Sequence, residues 1–414
     1  MEKKQNVPAL RFPGFSGEWE KKRLEEMGAS FSYGLNAAAT TYDGQHKYLR
    51  ITDIDDESRK FSGKELTSPN VDLSNASDYL DYKLQENDIV FARTGASVGK
   101  TYLYDTSDGD VYYAGFLIRV KIDSKYDANF IFQKTLTSDY SHFVVVTSQR
   151  SGQPGINAQE YANWEMLVPE LNEQKKIGRF LTDFDKNIFV CREKIKKLQQ
   201  FRQAMLTKLF PREGAAEPEL RFRGFSGKWK LRRLSDFVKE VTRVDASSHA
   251  PVMMITAANG FINQSERYSF DNSGQSLQKY ILLKQGELAY NHGASKLRPF
   301  GSCFVLREKE ARVPFVYHCF SVTDNYADFV ALELNGNLVE RQLRRIVSSS
   351  ARMDGLLNIS FEEYCTVKIA LPCQEEQRKI GNFFRNLDTY ISLQQKKLER
   401  MQRLKAALLE KLFV

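Results

Sequence analysis

A glycine-rich run from Gly95 to Thr101 is the first stretch of this chain whose residue types could bind a phosphate. A nucleotide-binding P-loop places four residues between its glycines, follows a strand and opens a helix. Here three residues separate the glycines, Thr94 stands where the first glycine should be, and the residues after Thr101 favour a strand. The run therefore predicts a polar loop in which Arg93, Thr94 and Lys100 contact a nucleic-acid phosphate or base edge. A structural hairpin turn explains it equally well.

A second polar loop, residues 148–157, contains side chains that suit the edges of bases. Arg150 suits guanine, whereas Gln153 and Asn157 suit adenine. A solvated surface loop has the same composition, so the residues alone leave both interpretations open.

The second half of the chain carries looser copies of both loops. Residues 291–295 keep one glycine but lack the Gly-Lys-Thr that ends the first run. Residues 348–355, continuing to Asn358, match the second loop. The residues of this half that are predicted to face a nucleic acid are Asn291, His292, Lys296, Arg298 and Arg352.

The sequence lacks the other common catalytic and metal-binding patterns. Its five cysteines are scattered without Cys-x-x-Cys spacing, and its five histidines have no ligand spacing. It also lacks His-Glu-x-x-His, Gly-x-Ser-x-Gly and the Asn-Pro-Pro-Tyr or Asp-Pro-Pro-Tyr of an amino-group DNA methyltransferase. We predict no catalytic residues, no metal and no cofactor, and cysteines that are free thiols in a reducing cytoplasm.

The charge and hydropathy patterns favour a nucleic-acid partner and no membrane. No apolar run approaches the ~20 residues that cross a bilayer, and the charged N-terminus leads into no apolar segment, so no signal peptide is predicted. The net charge is +8, with +6 over residues 173–210 and +5 over residues 376–414. Residues 25–165 instead carry 13 basic and 21 acidic side chains, so we expect partner proteins to supply much of the phosphate neutralisation.

Two long helices must position these loops. Residues 168–211 align without a gap with residues 371–414, and each copy has an apolar stripe in alternating four- and three-residue steps. The stripes are Ile177, Leu181, Phe184, Ile188, Cys191, Ile195, Leu198, Arg202, Met205, Leu209 and Ile380, Phe384, Leu387, Ile391, Gln394, Leu398, Met401, Lys405, Leu408, Leu412. That period predicts two coiled-coil helices, each roughly 55 Å long, that pair with each other. Two amphipathic helices in separate cores are the alternative. The cations at equivalent stripe positions, Arg202 and Lys405, are predicted to fix the register.

A second repeated element opens each half of the chain. Leu10–Trp19 returns as Leu220–Trp229, so the order is box, globular region and helix, twice. The hinge at residues 211–219 contains two prolines and prevents the first helix from continuing. A pseudo-dyad between the halves predicts that the first box lies beside the end of the second helix, near residues 411–414. The globular regions predict strands at 47–51, 88–92, 111–113, 116–120, 252–255, 287–290, 301–306 and 315–322, and helices at 128–136, 328–334 and 340–346.

These motifs resemble those of the specificity (S) subunits of type I restriction-modification enzymes. The resemblance rests on Pro-x-x-x-Glu-Gln-x-Lys-Ile-Gly at 169–178 and 372–381, on the Arg-Phe-x-Gly-Phe-x-Gly-x-Trp box, and on Asp-Ile-Val-Phe-Ala-Arg-Thr-Gly at 88–95. It implies an α+β fold in which two mixed α/β target recognition domains are joined by two long helices in an antiparallel coiled coil, with a pseudo-two-fold internal repeat. The domains expected are a box at 1–24, recognition domain 1 at 25–167, a central helix at 168–210, a linker and box at 211–234, recognition domain 2 at 235–370 and a C-terminal helix at 371–414.

The resemblance also implies a function and partners. The expected function is a non-catalytic cytoplasmic subunit that recognises a bipartite, asymmetric double-stranded DNA target and directs two methylation (M) subunits and the restriction (R) subunits. S-adenosylmethionine, ATP and Mg²⁺ are expected on those partners. A coiled-coil scaffold without DNA recognition is the alternative.

Overall fold

The computed structural model describes residues 6–63, 65–150, 152–266, 274–347 and 357–414. The chain divides into two compact units, one formed by Met1–Lys194 with Gln394–Val414 and the other by Ile195–Leu393. Each unit therefore contains one part of each long helix. The mixture of strands and helices confirms the predicted α+β class.

The first unit is built around a four-stranded antiparallel sheet in the order β2-β9-β6-β7. Three two-stranded pairs join it: β1 with β10 and β3 with β5 are antiparallel, and β4 with β8 is parallel. The strands are β1 Glu20–Arg23, β2 Gly28–Tyr33, β3 Ala39–Thr41, β4 Lys47–Leu49, β5 Thr67–Pro69, β6 Asp88–Ala92, β7 Thr101–Leu103, β8 Val111–Tyr113, β9 Leu117–Ile122 and β10 Glu165–Val168. The helices are α1 Leu24–Met27, α2 Ala128–Lys134, α3 Ser138–Thr147, α4 Ala158–Ala162 and the long α5 Leu171–Leu209.

The second unit repeats this plan with a sheet in the order β12-β19-β16-β17. Its pairs β11 with β20, β13 with β14 and β15 with β18 are all antiparallel. The strands are β11 Lys230–Arg233, β12 Val238–Glu240, β13 Met253–Thr256, β14 Gly260–Asn263, β15 Ile281–Lys284, β16 Leu288–Asn291, β17 Ser302–Val305, β18 Glu310–Val313, β19 His318–Val322 and β20 Lys368–Leu371. The helices are α6 Ala327–Leu334, α7 Asn337–Ile346, α8 Phe361–Tyr364 and the long α9 Gln374–Leu412.

The two long helices have 39 residues each, and the predicted stripes are their buried faces. None of the twenty stripe residues is exposed. In the first unit the pairing is antiparallel, since Cys191 contacts Gln394 and Asp185 contacts Lys405. The second unit shows the same direction, because Arg202 contacts Asp388 while Phe210 contacts Phe384.

Both stripe cations are satisfied by an aspartate on the facing helix. The Lys405 ammonium lies 2.6 Å from the Asp185 carboxylate, and the Arg202 guanidinium binds both oxygens of Asp388. Asp185 and Asp388 occupy equivalent positions of the repeat. A slip along the seam would separate these ion pairs and leave the partly buried Lys405, Asp185 and Arg202 without partners, so the pairs favour one register.

The repeated box motif docks beside the entry of each long helix. In the first unit Arg11 donates to both carboxylate oxygens of Glu173, at 2.8 and 2.7 Å, and the Glu173 side chain is fully buried. In the second unit Arg221 makes the same contact with Glu376, at 2.7 Å for both bonds. The Glu and the box Arg recur because each half needs this ion pair to hold its opening segment.

The Gln and the Gly of the entry motif fasten the globular region to its helix. Gln174 donates to the carbonyl of Pro169 and accepts the amide of Asp127, which is the N-cap of α2. A Cβ on Gly178 would lie 2.4 Å from the Asp127 carboxylate and 2.8 Å from the backbone nitrogen of Phe130. Only glycine permits this close approach of α5 to α2.

The expected place of the first box is confirmed. The amide of Leu10 donates to the carbonyl of Lys411 at 2.8 Å, and the Trp19 ring packs edge-on against Phe413. At the equivalent place in the second unit, Leu220 donates to Lys208 at 2.8 Å and Trp229 packs edge-on against Phe210. The first box therefore packs against the C-terminal end of α9, and the second box against the C-terminal end of α5.

The equivalent pairs β1–β10 and β11–β20 differ in cross-strand charge. Glu165 lies opposite Arg23 and forms ion pairs with Arg23 and Lys21, whereas Lys368 lies opposite Arg233. Directly opposed like charges destabilise a sheet. In urea denaturation we expect Lys368→Glu to raise the free energy of unfolding by about 0.2–1 kcal/mol and the matched Glu165→Lys to lower it. Equal effects of the same sign would contradict this account.

Candidate nucleic-acid interface

The structure brings the two polar loops of the first unit together. Beyond the end of β6, the amide of Ile156 donates to the carbonyl of Arg93 at 2.9 Å, and the amide of Gly95 donates to Pro154 at 3.0 Å. Thr94 and Gly155 form an antiparallel bridge between these bonds. Loops that are separated by more than fifty residues in sequence thus form one short ladder that extends the central sheet.

The glycine run itself is the β6–β7 hairpin turn. Gly95 and Gly99 have φ values of +79° and +83°, which disfavour other residues. A Cβ on Gly99 would lie 2.6 Å from the side chain of Val144 on α3. The glycines are therefore required by the turn and by its packing.

Lys100 is part of this scaffold, which argues against the predicted DNA contact. Its side chain is only 7% exposed, its ammonium donates to the Ile54 carbonyl at 3.1 Å, and it forms an ion pair with Asp56. To contact DNA, the Lys100 ammonium would have to give up its hydrogen bond to Ile54 and its ion pair with Asp56. We therefore leave Lys100 out of the candidate interface.

Four side chains around the ladder form what we call the first platform: Tyr33, Arg93, Phe116 and Gln153. The Arg93 guanidinium lies over the Tyr33 ring, 4.9 Å from its centroid, and Tyr33 is 43% exposed. Phe116 is 62% exposed, and its carbonyl accepts the amide of Arg93. Gln153 is exposed, and its amide nitrogen lies 3.1 Å from the Cβ position of Gly95. Stacking on an aromatic face leaves the edge of a guanidinium free to donate hydrogen bonds.

The other two predicted residues of the second loop are exposed but engaged within the chain. The Arg150 guanidinium pairs with Glu160 and donates to the carbonyls of Thr147 and Gln149 at 3.0 and 2.9 Å. Asn157 is the N-cap of α4 and accepts the amide of Glu160 at 2.9 Å. These bonds hold the loop, and a DNA contact by Arg150 has to compete with Glu160.

In the second unit the predicted residues divide between buried and exposed positions. The Asn291 side chain is engaged within the chain, because it donates to the Ile255 carbonyl at 3.0 Å and accepts a hydrogen bond from the Gly293 amide. His292 is 6% exposed, so its burial argues against a DNA contact. Lys296 is exposed. Arg298 donates to the Asn335 carbonyl at 2.7 Å at the end of α6, and burial lowers its pKa. Arg352 lies outside the described residues.

The platform aromatics were not among the predicted site residues. Phe116 was assigned to a predicted strand, where an aromatic is usually buried, and Tyr33 ends β2 without any motif. Their exposure beside Arg93 is the reason to include them in the candidate interface, and it is visible only in three dimensions. Among the described residues, no group of three His, Cys, Asp or Glu side chains could hold a metal ion, and no helix in this part of the chain is long and apolar enough to span a membrane.

Comparison with known proteins finds sequence similarity to the same family that the motifs resemble. Residues 16–200 match the family described as type I restriction modification DNA specificity domain. The MjaVIII type I restriction enzyme specificity subunit of Methanocaldococcus jannaschii is 22% identical over 356 residues, covering 78% of this chain and 77% of that protein. The putative MjaX specificity subunit of the same organism is 23% identical over 216 residues, covering 50% of this chain and 49% of that protein.

The fold agrees as well. The type I restriction-modification S subunit of M. genitalium superposes with a TM-score of 0.65 over 99% of both chains, at 14% sequence identity. The superposition extends over essentially the whole of both chains, so the fold as a whole is shared. The chain is therefore similar in sequence to type I restriction-modification specificity subunits, and it has the fold of the M. genitalium S subunit.

Proposed function

We propose that this chain recognises a bipartite, asymmetric DNA target, with one half-site for each unit. The observation that carries the proposal is the contrast between a repeated frame and unlike loops. Box, helix entry and central sheet recur in both units with the same ion pairs and strand order. At the end of β6 the first unit presents Arg93 over Tyr33, whereas the equivalent place after β16 holds the buried His292. Two frames with different reading surfaces suit two different half-sites.

The antiparallel helices supply the spacing in this proposal. Stiff paired helices with a register fixed by Arg202–Asp388 and Lys405–Asp185 act as a ruler between the half-sites. A pseudo-dyad that faces one side of a duplex places half-sites about one helical turn apart, roughly 10 bp.

Catalysis and much of the DNA affinity are assigned to partners. We propose that two M subunits and the R subunits bind this chain and that these partners bind S-adenosylmethionine, ATP and Mg²⁺. We also propose that the complex is cytoplasmic. The acidic balance of residues 25–165, with 13 basic and 21 acidic side chains, supports the need for partners that neutralise phosphates.

The decisive experiment is to sequence methylated bases in the native genome with and without this chain. We expect methylation that depends on the chain at two short blocks, each of about 3–5 bp and separated by an unspecified spacer of a length that places the blocks one helical turn apart. A single continuous block or a palindrome would overturn the bipartite proposal. A complex that binds no DNA with all its partners present would favour the scaffold alternative.

Binding should also depend on partners in a salt-sensitive way. The isolated chain is expected to bind its site weakly and with a shallow dependence on salt, because it neutralises few phosphates. Adding the M subunit should tighten binding and steepen that dependence in fluorescence anisotropy titrations. Nanomolar binding by the chain alone at about 0.15 M salt would contradict the charge argument.

A further inference from the structure

A buried histidine, His292, and a half-buried one, His318, form a pair in the second unit, outside the exposed candidate surface. His292 follows the end of β16, and His318 lies opposite Tyr290 on the neighbouring strand β19. Their ring centroids are 5.0 Å apart. The pair lies next to residues 357–359. These residues are at the end of the second polar loop of this half, which the sequence places at 348–355, continuing to Asn358.

The two histidines donate hydrogen bonds to the backbone carbonyls of the residues on either side of Asn358. Nδ1 of His292 lies 2.9 Å from the Leu357 carbonyl, and Nε2 of His318 lies 3.0 Å from the Ile359 carbonyl. A carbonyl only accepts, so each of these nitrogens carries a proton. The amide of Leu357 donates in return to the His292 carbonyl at 2.9 Å. Leu357 and Ile359 are buried, whereas Asn358 between them is exposed.

We infer that His292 and His318 are positioning residues for the second half-site, a histidine clamp that fixes Leu357 and Ile359 so that Asn358 faces the DNA. The inference rests on the proposed function, since it assigns a reading role to the segment that the clamp holds. It also gives a role to His292, whose side chain is buried.

The first unit holds its equivalent segment without histidine. Ile156 donates to the Arg93 carbonyl, and the Tyr161 hydroxyl donates to the Ala92 carbonyl at 2.7 Å. Ile118, opposite Phe91, takes the register position of His318. A change of pH that protonates histidine should therefore disturb one half-site and leave the other intact.

Protonation of His318 opposes the clamp because it would place a charge in a largely buried site, 5.0 Å from the ring of His292. The Nε2 of His292 is buried and has no hydrogen-bond partner among the described residues, and it makes no contact that would offset such a charge. Burial, followed by the neighbouring His292, lowers the pKa of His318 despite the opposing bond to Ile359. The clamp is therefore complete above the ordinary histidine pKa of 6.5 and is lost as the pH falls below it.

Three other titratable groups around the histidine pair stay neutral at the pH values where histidine titrates. Burial raises the pKa of Tyr290 on β16, of Cys303 on β17 and of Tyr364 on α8, so all three stay neutral. Glu362 on α8 is exposed, and its charge opposes the lowering of the His318 pKa. His318 is thus the group facing this segment whose charge depends on pH in the range where histidine titrates.

Hydrogen exchange tests the clamp without any assumption about DNA. In the full chain, protection of the Leu357 amide should fall at least about tenfold between pH 7.5 and 5.5, relative to protection of the Ile156 amide in the first unit. The double variant His292→Asn, His318→Gln keeps a donor at the position of each bonded nitrogen but cannot titrate, so its Leu357 protection should not depend on pH. Wild-type protection ratios that are equal at both pH values would overturn the clamp, and this measurement does not depend on the variant folding.

The reading role is tested by selection from random duplexes with the chain and its M subunit at both pH values. For the wild type, base preference in the second block should fall about tenfold at pH 5.5 while the first block is unchanged, and the double variant should keep both blocks. If no bipartite target is selected at pH 7.5, the proposed function fails while the exchange result still judges the clamp. Equal loss of both blocks, or a variant that remains sensitive to pH, would overturn the positioning role.

Discussion

Replacing Arg221 by alanine should lower the free energy of unfolding by about 3 kcal/mol. The Glu376 side chain is 0% exposed, and both of its oxygens accept from Arg221 at 2.7 Å. The variant leaves a buried carboxylate without its cation, and the desolvation of that charge is no longer offset. The same guanidinium donates to the Gly227 carbonyl at 2.6 Å, so the box loses its attachment to the helix entry at the same time.

Two controls separate the charge from the packing. Arg223→Ala, an exposed neighbour in the same box, should change stability by less than about 0.5 kcal/mol. The double variant Arg221→Met, Glu376→Leu removes both charges and should recover most of the lost stability, because apolar replacement of a buried ion pair is often neutral. Urea denaturation of the full chain measures all three. An Arg221→Ala variant as stable as Arg223→Ala would show that the pair contributes little to the joint.

The frame could be predicted from the sequence because its chemistry demands particular residues. Arg11 and Arg221 must match Glu173 and Glu376, and Gly178 must lack a Cβ for α2 to approach. Such residues recur at fixed spacing in both halves and therefore stand out. The apolar stripes were visible for the same reason, since pairing along a seam requires one period over the whole helix.

The candidate interface could not be predicted in this way, because burial of a polar side chain depends on residues far away in the sequence. The sequence predicts that Lys100 contacts DNA, but in the structure its ammonium binds the Ile54 carbonyl and the Asp56 carboxylate. Both residues precede Lys100 by more than forty positions. Arg150 is held by Glu160, and His292 by Leu357. No local pattern announces these contacts, and α3, which buries Gly99, was not predicted as a helix at all.

The prediction with the largest expected effect on specificity concerns Arg93. Its carbonyl is fixed by Ile156 and its guanidinium rests on Tyr33, 4.9 Å from the ring centroid, so the side chain is oriented before DNA arrives. A stacked guanidinium can donate two parallel bonds to guanine, and lysine cannot reproduce that geometry. We therefore expect Arg93 to specify one base pair of the first block.

Arg93→Ala should reduce discrimination at one position of the first block by about 1–3 kcal/mol, roughly 5- to 150-fold, and leave the second block unchanged. Arg93→Lys should be intermediate, because it keeps the charge and loses the paired donors. Lys125→Ala is the control, since this exposed residue follows the opposite end of β9 from Phe116. Sequencing of methylated bases in cells that carry each variant gives the preference at every position. An Arg93→Ala variant that keeps the wild-type motif at full strength, or relaxes both blocks equally, would remove Arg93 from the reading surface.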